Sequence, residues 1–146
     1  MRVDDYDCLK LEKQLCFPLY AASKEVIRKY KPFLDEINMT YTQYITMLVL
    51  WEHNNINVKE LGEKLFLDSG TLTPLLKTLE QKGYLKRNRS SEDERNLIVS
   101  LTNEGIKLRE KAKEIPSKIG KCINISQDEA FILYKILYKI LDNKEM

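Results

Sequence analysis

Between Val58 and Leu101 the spacing of apolar residues changes character twice, and this restricts the fold more than any other feature of the chain. In "VKELGEKLFL", Val58, Leu61 and Leu65, with Phe66 at the margin, fall on one side of a short helix. "DSG", Asp68 to Gly70, supplies turn and N-cap chemistry. In "TLTPLLKTLEQKG", Leu72, Leu75, Leu76 and Leu79 form the apolar side of a second helix; Thr71, Thr73, Lys77 and Thr78 point away, and Gly83 stops it. The period then drops from helical to extended. A basic run from Tyr84 to Arg89, a polar turn from Ser90 to Asn96 and a β-branched run from Leu97 to Leu101 make a two-stranded hairpin.

The flanks read as helices. Leu11, Leu15 and Leu19 recur at helical spacing, and Val26, Ile27, Tyr30, Phe33, Leu34 and Ile37 continue the pattern, with Pro18 and Pro32 as expected bends or ends. "MTYTQYITMLVLWEHN" is a buried helix capped by Thr40 or Thr42 and ended by Asn54 and Asn55. Thr102 or Asn103 caps a helix through "EGIKLREKAKEIPSKIGK", expected to kink at Pro116. Ser126 and Glu129 match a capping box before a last helix carrying Phe131, Tyr134, Leu137, Tyr138 and Leu141.

The expected fold class is therefore mostly α with a small β-hairpin: a winged helix-turn-helix with N- and C-terminal dimerisation helices. In that arrangement the second helix enters the major groove and the hairpin tip reaches the minor groove. A length of 146 residues fits a single domain, 1–146, with about 1–38 and 103–146 for dimerisation and about 39–102 for DNA reading.

Composition narrows the function classes. The net charge of +2 is weak evidence for a polyanionic partner, but residues 59–89 hold seven basic side chains against four acidic ones. No apolar run is long enough to span a membrane and the N-terminus lacks a signal-peptide pattern, so a cytoplasmic protein without membrane association is expected. Three cysteines, Cys8, Cys16 and Cys122, at wide spacing suit free thiols better than a disulfide framework or a zinc site. His53 is the only histidine, so neither metal nor other cofactor is expected. On composition alone Cys16 reads as buried core filling.

The segments "QLCFPLYAASKE", "YKPFLDEINMTYTQY", "LVLWEHN", "LDSGTLTPLLKTLEQKGYLKR" and "DERN" resemble the MarR family of winged-helix repressors, and specifically its organic-hydroperoxide-sensing OhrR branch, over nearly the whole chain. The resemblance implies that Cys16 is the peroxide-sensing residue, that Tyr20, Tyr30 and Tyr41 surround it or respond to it, and that Cys122 is a candidate resolving cysteine of the partner subunit. A mixed disulfide with a small thiol is the other route. Pro18 departs from the apolar residue usual in the branch. The implied partners are double-stranded operator DNA, a second copy of the chain and an organic hydroperoxide as oxidant; no enzyme activity is implied.

The chemistry of these residues fits. A sensing cysteine reacts as its thiolate, which a helix N-terminus, hydrogen-bond donors or cations favour. Cys16 lies two residues before Pro18, a first-turn residue, and four before Tyr20, hence on the same helical face. For DNA, Ser69, Thr71, Thr73, Lys77 and Thr78 are placed for bases and phosphates. Lys86, Arg87 and Arg89 are expected on phosphates, and Arg95 in the minor groove with Asp93 holding it. The rival reading is a repressor of the same fold released by a small phenolic ligand, with Cys16 not redox-active.

Overall fold

Thr40 explains how the second long helix begins. Its Oγ1 accepts the Gln43 amide while Gln43 Oε1 accepts the Thr40 amide, a complete capping box that starts α2 (Tyr41–Glu52). The computed structural model describes residues 5–93 and 95–142 and divides into two compact units, Met1–Ile115 and Pro116–Met146.

In the first unit, α1 (Cys16–Asp35) precedes α2, followed by β1 (Ile56–Asn57), α3 (Val58–Leu65), α4 (Ser69–Gln81), β2 (Leu85–Arg89), β3 (Leu97–Leu101) and α5 (Asn103–Ala112). Asn57 caps α3 and Asp68 caps α4, each side-chain oxygen accepting an amide three residues on. Gly83, at φ 84°, turns the chain out of α4 through the left-handed region that a residue with a Cβ rarely adopts. Leu72, Leu75, Leu76 and Leu79 of α4 are buried with Met47 and Leu50 of α2, Leu61 of α3 and Val99 of β3 in one core. At about 25 cal/mol per Å² of apolar surface, each such leucine contributes roughly 1.5–3 kcal/mol. Trp51 Nε1 donates to the Gly105 carbonyl at 2.9 Å, and a Cβ on Gly105 would stand 2.1 Å from the Tyr84 carbonyl oxygen, so α2, the wing and α5 close on a point that only glycine fits.

Several sequence expectations shift. The N-terminal helix begins at Cys16, with Asp7–Leu9 and Leu11–Lys13 forming single 3₁₀ turns, so Leu11 is not part of it. Pro32 does not end α1: it lies inside, in the last turn. Phe66 leaves the apolar side of α3, because it caps the helix in the left-handed region at φ 54° and is exposed. The hairpin is part of a three-stranded antiparallel sheet, order β1-β3-β2, since Ile56 and Asn57 pair with Val99 and Ile98. A two-residue strand is too short to show alternation in sequence. α2 stops at Glu52, before Asn54, whose side-chain oxygen instead accepts the Leu101 amide at 2.9 Å. The helix expected to kink at Pro116 is two helices, α5 and α6 (Ile115–Cys122), interrupted at Lys113 and Glu114; proline at the second position of α6 needs no amide partner.

In the second unit, Ser126 and Glu129 form the expected capping box of α7 (Gln127–Leu141). No residue of α7 is buried, although it carries Phe131, Ile132, Tyr134, Ile136 and Ile140. Among the described residues no helix is long and apolar enough to cross a membrane.

Candidate functional site

The exposed side of α4 is built by its cap. Asp68 Oδ1 accepts the Thr71 amide at 2.8 Å, which fixes the first turn and leaves Ser69, Thr71, Thr73 and Lys77 exposed along one face. Thr78 is half-buried and its Oγ1 donates to the Pro74 carbonyl at 3.0 Å, so its hydroxyl serves the helix before any ligand. Hydroxyls, a helix N-terminus and one lysine on a protruding helix are suited to base edges and phosphates.

On the wing, Lys86 and Arg89 are exposed at the surface of β2. Arg87, also expected on phosphates, is half-buried and its Nε donates to Glu80 at 2.6 Å, which ties β2 to the last turn of α4. Arg95 is exposed at the tip, and Asp93 Oδ1 accepts the Arg95 backbone amide at 3.0 Å. Asp93 thus holds the turn that presents Arg95. Glu94, between them, lies outside the described residues.

At the other end of the unit, Cys16 is the first residue of α1 and is exposed, as are Cys8 and Cys122. Burial in a core, the composition-only reading of Cys16, does not hold within the chain. Pro18 stands in the first turn, where its missing amide costs no helix hydrogen bond, so α1 follows a regular path despite it. The first turn is tied back to the segment before it, the Phe17 amide donating to the Gln14 carbonyl at 3.4 Å. Tyr20 lies one turn on, exposed, with Lys24 Nζ 5.1 Å above its ring.

Tyr30 and Tyr41 are brought together, their rings 5.1 Å apart, and Tyr44 joins them at 5.8 Å from Tyr30. Burial, and secondarily the neighbouring Tyr41 and Tyr44, push the Tyr30 hydroxyl up to about 12; burial raises Tyr41 and Tyr44 as well. All three are neutral at physiological pH and able to donate. Cys16 and Tyr30 occupy opposite ends of the same helix. At about 1.5 Å per residue they stand about 21 Å apart, so one chain does not place Tyr30 against its own thiol. In the second unit Cys122 ends α6, exposed, its Sγ donating to the Lys118 carbonyl at 3.4 Å.

Sequence reading missed Tyr44, Gln43, Glu80 and Lys82. Tyr44 was visible as the last residue of "YTQY", one turn from Tyr41. The ties from Glu80 to Arg87 and from Lys82 to Gln43 span 7 and 39 residues and leave no local signal.

A helix-turn-helix with an exposed hydroxyl-rich second helix, backed by an antiparallel wing, defines the winged-helix class of DNA-reading domain. Residues 28–112 match the family of transcriptional regulators SarA/Rot. The organic hydroperoxide resistance transcriptional regulator of Bacillus subtilis (strain 168) is 50% identical over 94% of this chain and 93% of its own length. Reduced AbfR bound to DNA is 38% identical, covering 92% of this chain and 93% of that one, with a TM-score of 0.77; AbfR comes from Staphylococcus epidermidis. AbfR is also known overoxidised on DNA (37% identical, TM-score 0.77, covering 92% and 94%) and in a disulfide form (37%, 0.64, covering 92% and 91%). A MarR transcriptional regulator of Methanosarcina mazei Go1 shares the fold at a TM-score of 0.73 and 22% identity, covering 86% of this chain and 92% of its own. The chain belongs to the SarA/Rot family of transcriptional regulators, together with the organic hydroperoxide resistance regulator to which it is half identical, and it shares the winged-helix fold of MarR regulators.

Proposed function

We propose that the protein is a redox-sensing repressor that binds operator DNA as a homodimer and releases it when an organic hydroperoxide oxidises Cys16. The observation that carries this reading is an exposed thiol at the N-terminus of α1, in a chain half identical to an organic hydroperoxide resistance regulator. Residues of about 39–102 read the DNA; about 1–38 and 103–146 hold the two copies together. The contacts are those of Ser69, Thr71, Thr73 and Lys77 in the major groove, Lys86 and Arg89 on phosphates, and Arg95 in the minor groove.

The thiol site is completed by a second copy. Two antiparallel α1 helices set the Cys16 end of one against the Tyr30 end of the other, and this offsets the separation of about 21 Å within each. The exposed Leu15, Phe17 and Leu19 supply apolar surface for that contact. Tyr30 and Tyr41 then donate to the partner's thiolate.

The Cys16 thiol gives up its proton and the thiolate attacks the distal oxygen of the hydroperoxide; the O–O bond breaks, the alkoxide takes up a proton and leaves as the alcohol, and Cys16 becomes a sulfenic acid. The thiol of Cys122 from the other copy displaces water and forms the disulfide. Assigning release to this disulfide is supported by AbfR, which was found overoxidised while still on DNA. The protein consumes one peroxide per thiol and is no enzyme.

A gel shift on inverted-repeat operator DNA tests the reading. Organic hydroperoxide releases the wild type, leaves Cys16→Ser bound, and gives a non-reducing dimer band that Cys122→Ser lacks. Release of Cys16→Ser to the same extent as wild type would instead support a ligand switch.

A further inference from the structure

Lys82 is the C-cap of α4, and its side chain leaves that helix entirely. Its Nζ donates to the Asn38 carbonyl at 2.6 Å and to Gln43 Oε1 at 3.0 Å, spanning 44 and 39 residues of sequence. Both acceptors belong to the corner between α1 and α2. Asn38 sits at φ 54°, a left-handed conformation that asparagine tolerates better than most residues. Gln43 is 6% exposed, and the oxygen that accepts from Lys82 also accepts the Thr40 amide in the capping box. The bond to Gln43 is part-buried while that to Asn38 is exposed, and the Asn38 carbonyl, just beyond the C-terminus of α1, is favourably placed for a charged donor.

The same corner carries the tyrosines. Tyr41 and Tyr44 flank Gln43 within two residues in α2, and both rings pack on Tyr30 of α1. A change in how Tyr30 and Tyr41 meet a thiol therefore bears on the start of α2, whose cap oxygen is held by Lys82 of the reading helix. We propose that Lys82 is a positioning residue that couples the tyrosine cluster to α4, so that the oxidation state of Cys16 reaches the DNA-reading face through the Lys82–Gln43 bond. This rests on the redox-repressor reading. It adds a residue that touches neither thiol nor DNA.

Spatial intermediacy alone does not establish coupling, so the test measures the coupling itself. Operator affinity is measured on the full-length protein, reduced and after one equivalent of cumene hydroperoxide, beside the rate of Cys16 oxidation by mass spectrometry and a thermal melt. Wild type is expected to lose about 100-fold in affinity on oxidation. Lys82→Met keeps the aliphatic stem and removes the donor; its loss on oxidation is expected to shrink below about 10-fold, with Cys16 oxidised within about 2-fold of the wild-type rate. Gln43→Glu preserves the cap acceptor and gives Lys82 a carboxylate, and the gap is expected to widen. A Lys82→Met protein whose affinity falls equally in both states, leaving the ratio at the wild-type value, would overturn the proposal by reducing Lys82 to a structural tie. So would a Gln43→Glu protein with a narrowed gap. Failure of wild type to release DNA would instead overturn the underlying repressor reading, visible in that arm alone.

Discussion

The two ends of α1 differ in what they touch. Around Leu34, its C-terminal end belongs to the core, and Tyr30 is packed on α2. From Cys16 to Lys24 every residue is exposed, Leu15 just ahead of them to 81%. The DNA-reading half is finished within one chain: caps, core, the Arg87–Glu80 tie and the Trp51–Gly105 bond all close internally. The thiol end has Tyr20 one turn on but, within one chain, not Tyr30, which lies farther along α1. Function follows that division. Under the proposed function, a reading half closed within one chain is switched by a site completed by the second.

The contrast predicts unequal responses to truncation. Leu76 is 1% exposed, and Leu76→Ala should cost about 2–5 kcal/mol in urea denaturation. Leu15→Ala should change the stability of the subunit's own fold by less than about 0.5 kcal/mol while weakening dimerisation in sedimentation experiments. Equal costs in the subunit would erase the distinction. At the wing tip, where Arg95 is exposed, Arg95→Ala should lower operator affinity by about tenfold, roughly 1.4 kcal/mol, with an unchanged melting temperature. A lowered melting temperature would mean that Arg95 builds the wing.

The tyrosine cluster gives a smaller, pH-dependent effect. Tyr30 titrates at about 12 in the folded chain against an ordinary 10, so the unfolded chain ionises first. The stabilisation is whole below pH 10 and is lost as pH rises from 10 through 12. The full difference would amount to about 2.7 kcal/mol, but Tyr30 is only half-buried and solvent screening reduces this to about 1 kcal/mol. Denaturation at pH 9 and pH 11.5 should show a smaller loss for Tyr30→Phe than for wild type; identical losses would place the ring in water.

What was legible in the sequence was whatever is encoded locally. Asp68 and Gly83 delimit α4, Ser126 and Glu129 open α7, and the apolar period identifies Leu72, Leu75, Leu76 and Leu79 as core. Cys16 at a helix start was legible through Pro18 and Tyr20. Strand β1 was not, because two residues carry no period, and Phe66 misled because an apolar side chain next to a helix was counted with it. Arg87 reads as one more basic residue of a basic strand; only the fold reveals Glu80 beside it. Tyr30 and Tyr41 were linked to the thiol by resemblance alone; the distance of Tyr30 from Cys16 along α1, with Tyr41 packed on Tyr30, is what leads to the proposal of a site shared by two chains.

The central claim is that the thiol site is assembled between subunits, and a mixed dimer tests it most directly. One chain carries Cys16→Ser with intact tyrosines; the other keeps Cys16 and carries Tyr30→Phe and Tyr41→Phe. In the heterodimer, purified through two different tags, the remaining Cys16 faces the partner's intact tyrosines and its own altered ones. The account predicts that organic hydroperoxide oxidises this thiol at the wild-type rate, whereas the homodimer of the Tyr30→Phe, Tyr41→Phe chain reacts at least about tenfold more slowly, a difference of about 1.4 kcal/mol in the barrier. A heterodimer as slow as that homodimer would place the tyrosines with the thiol of their own chain and contradict the account.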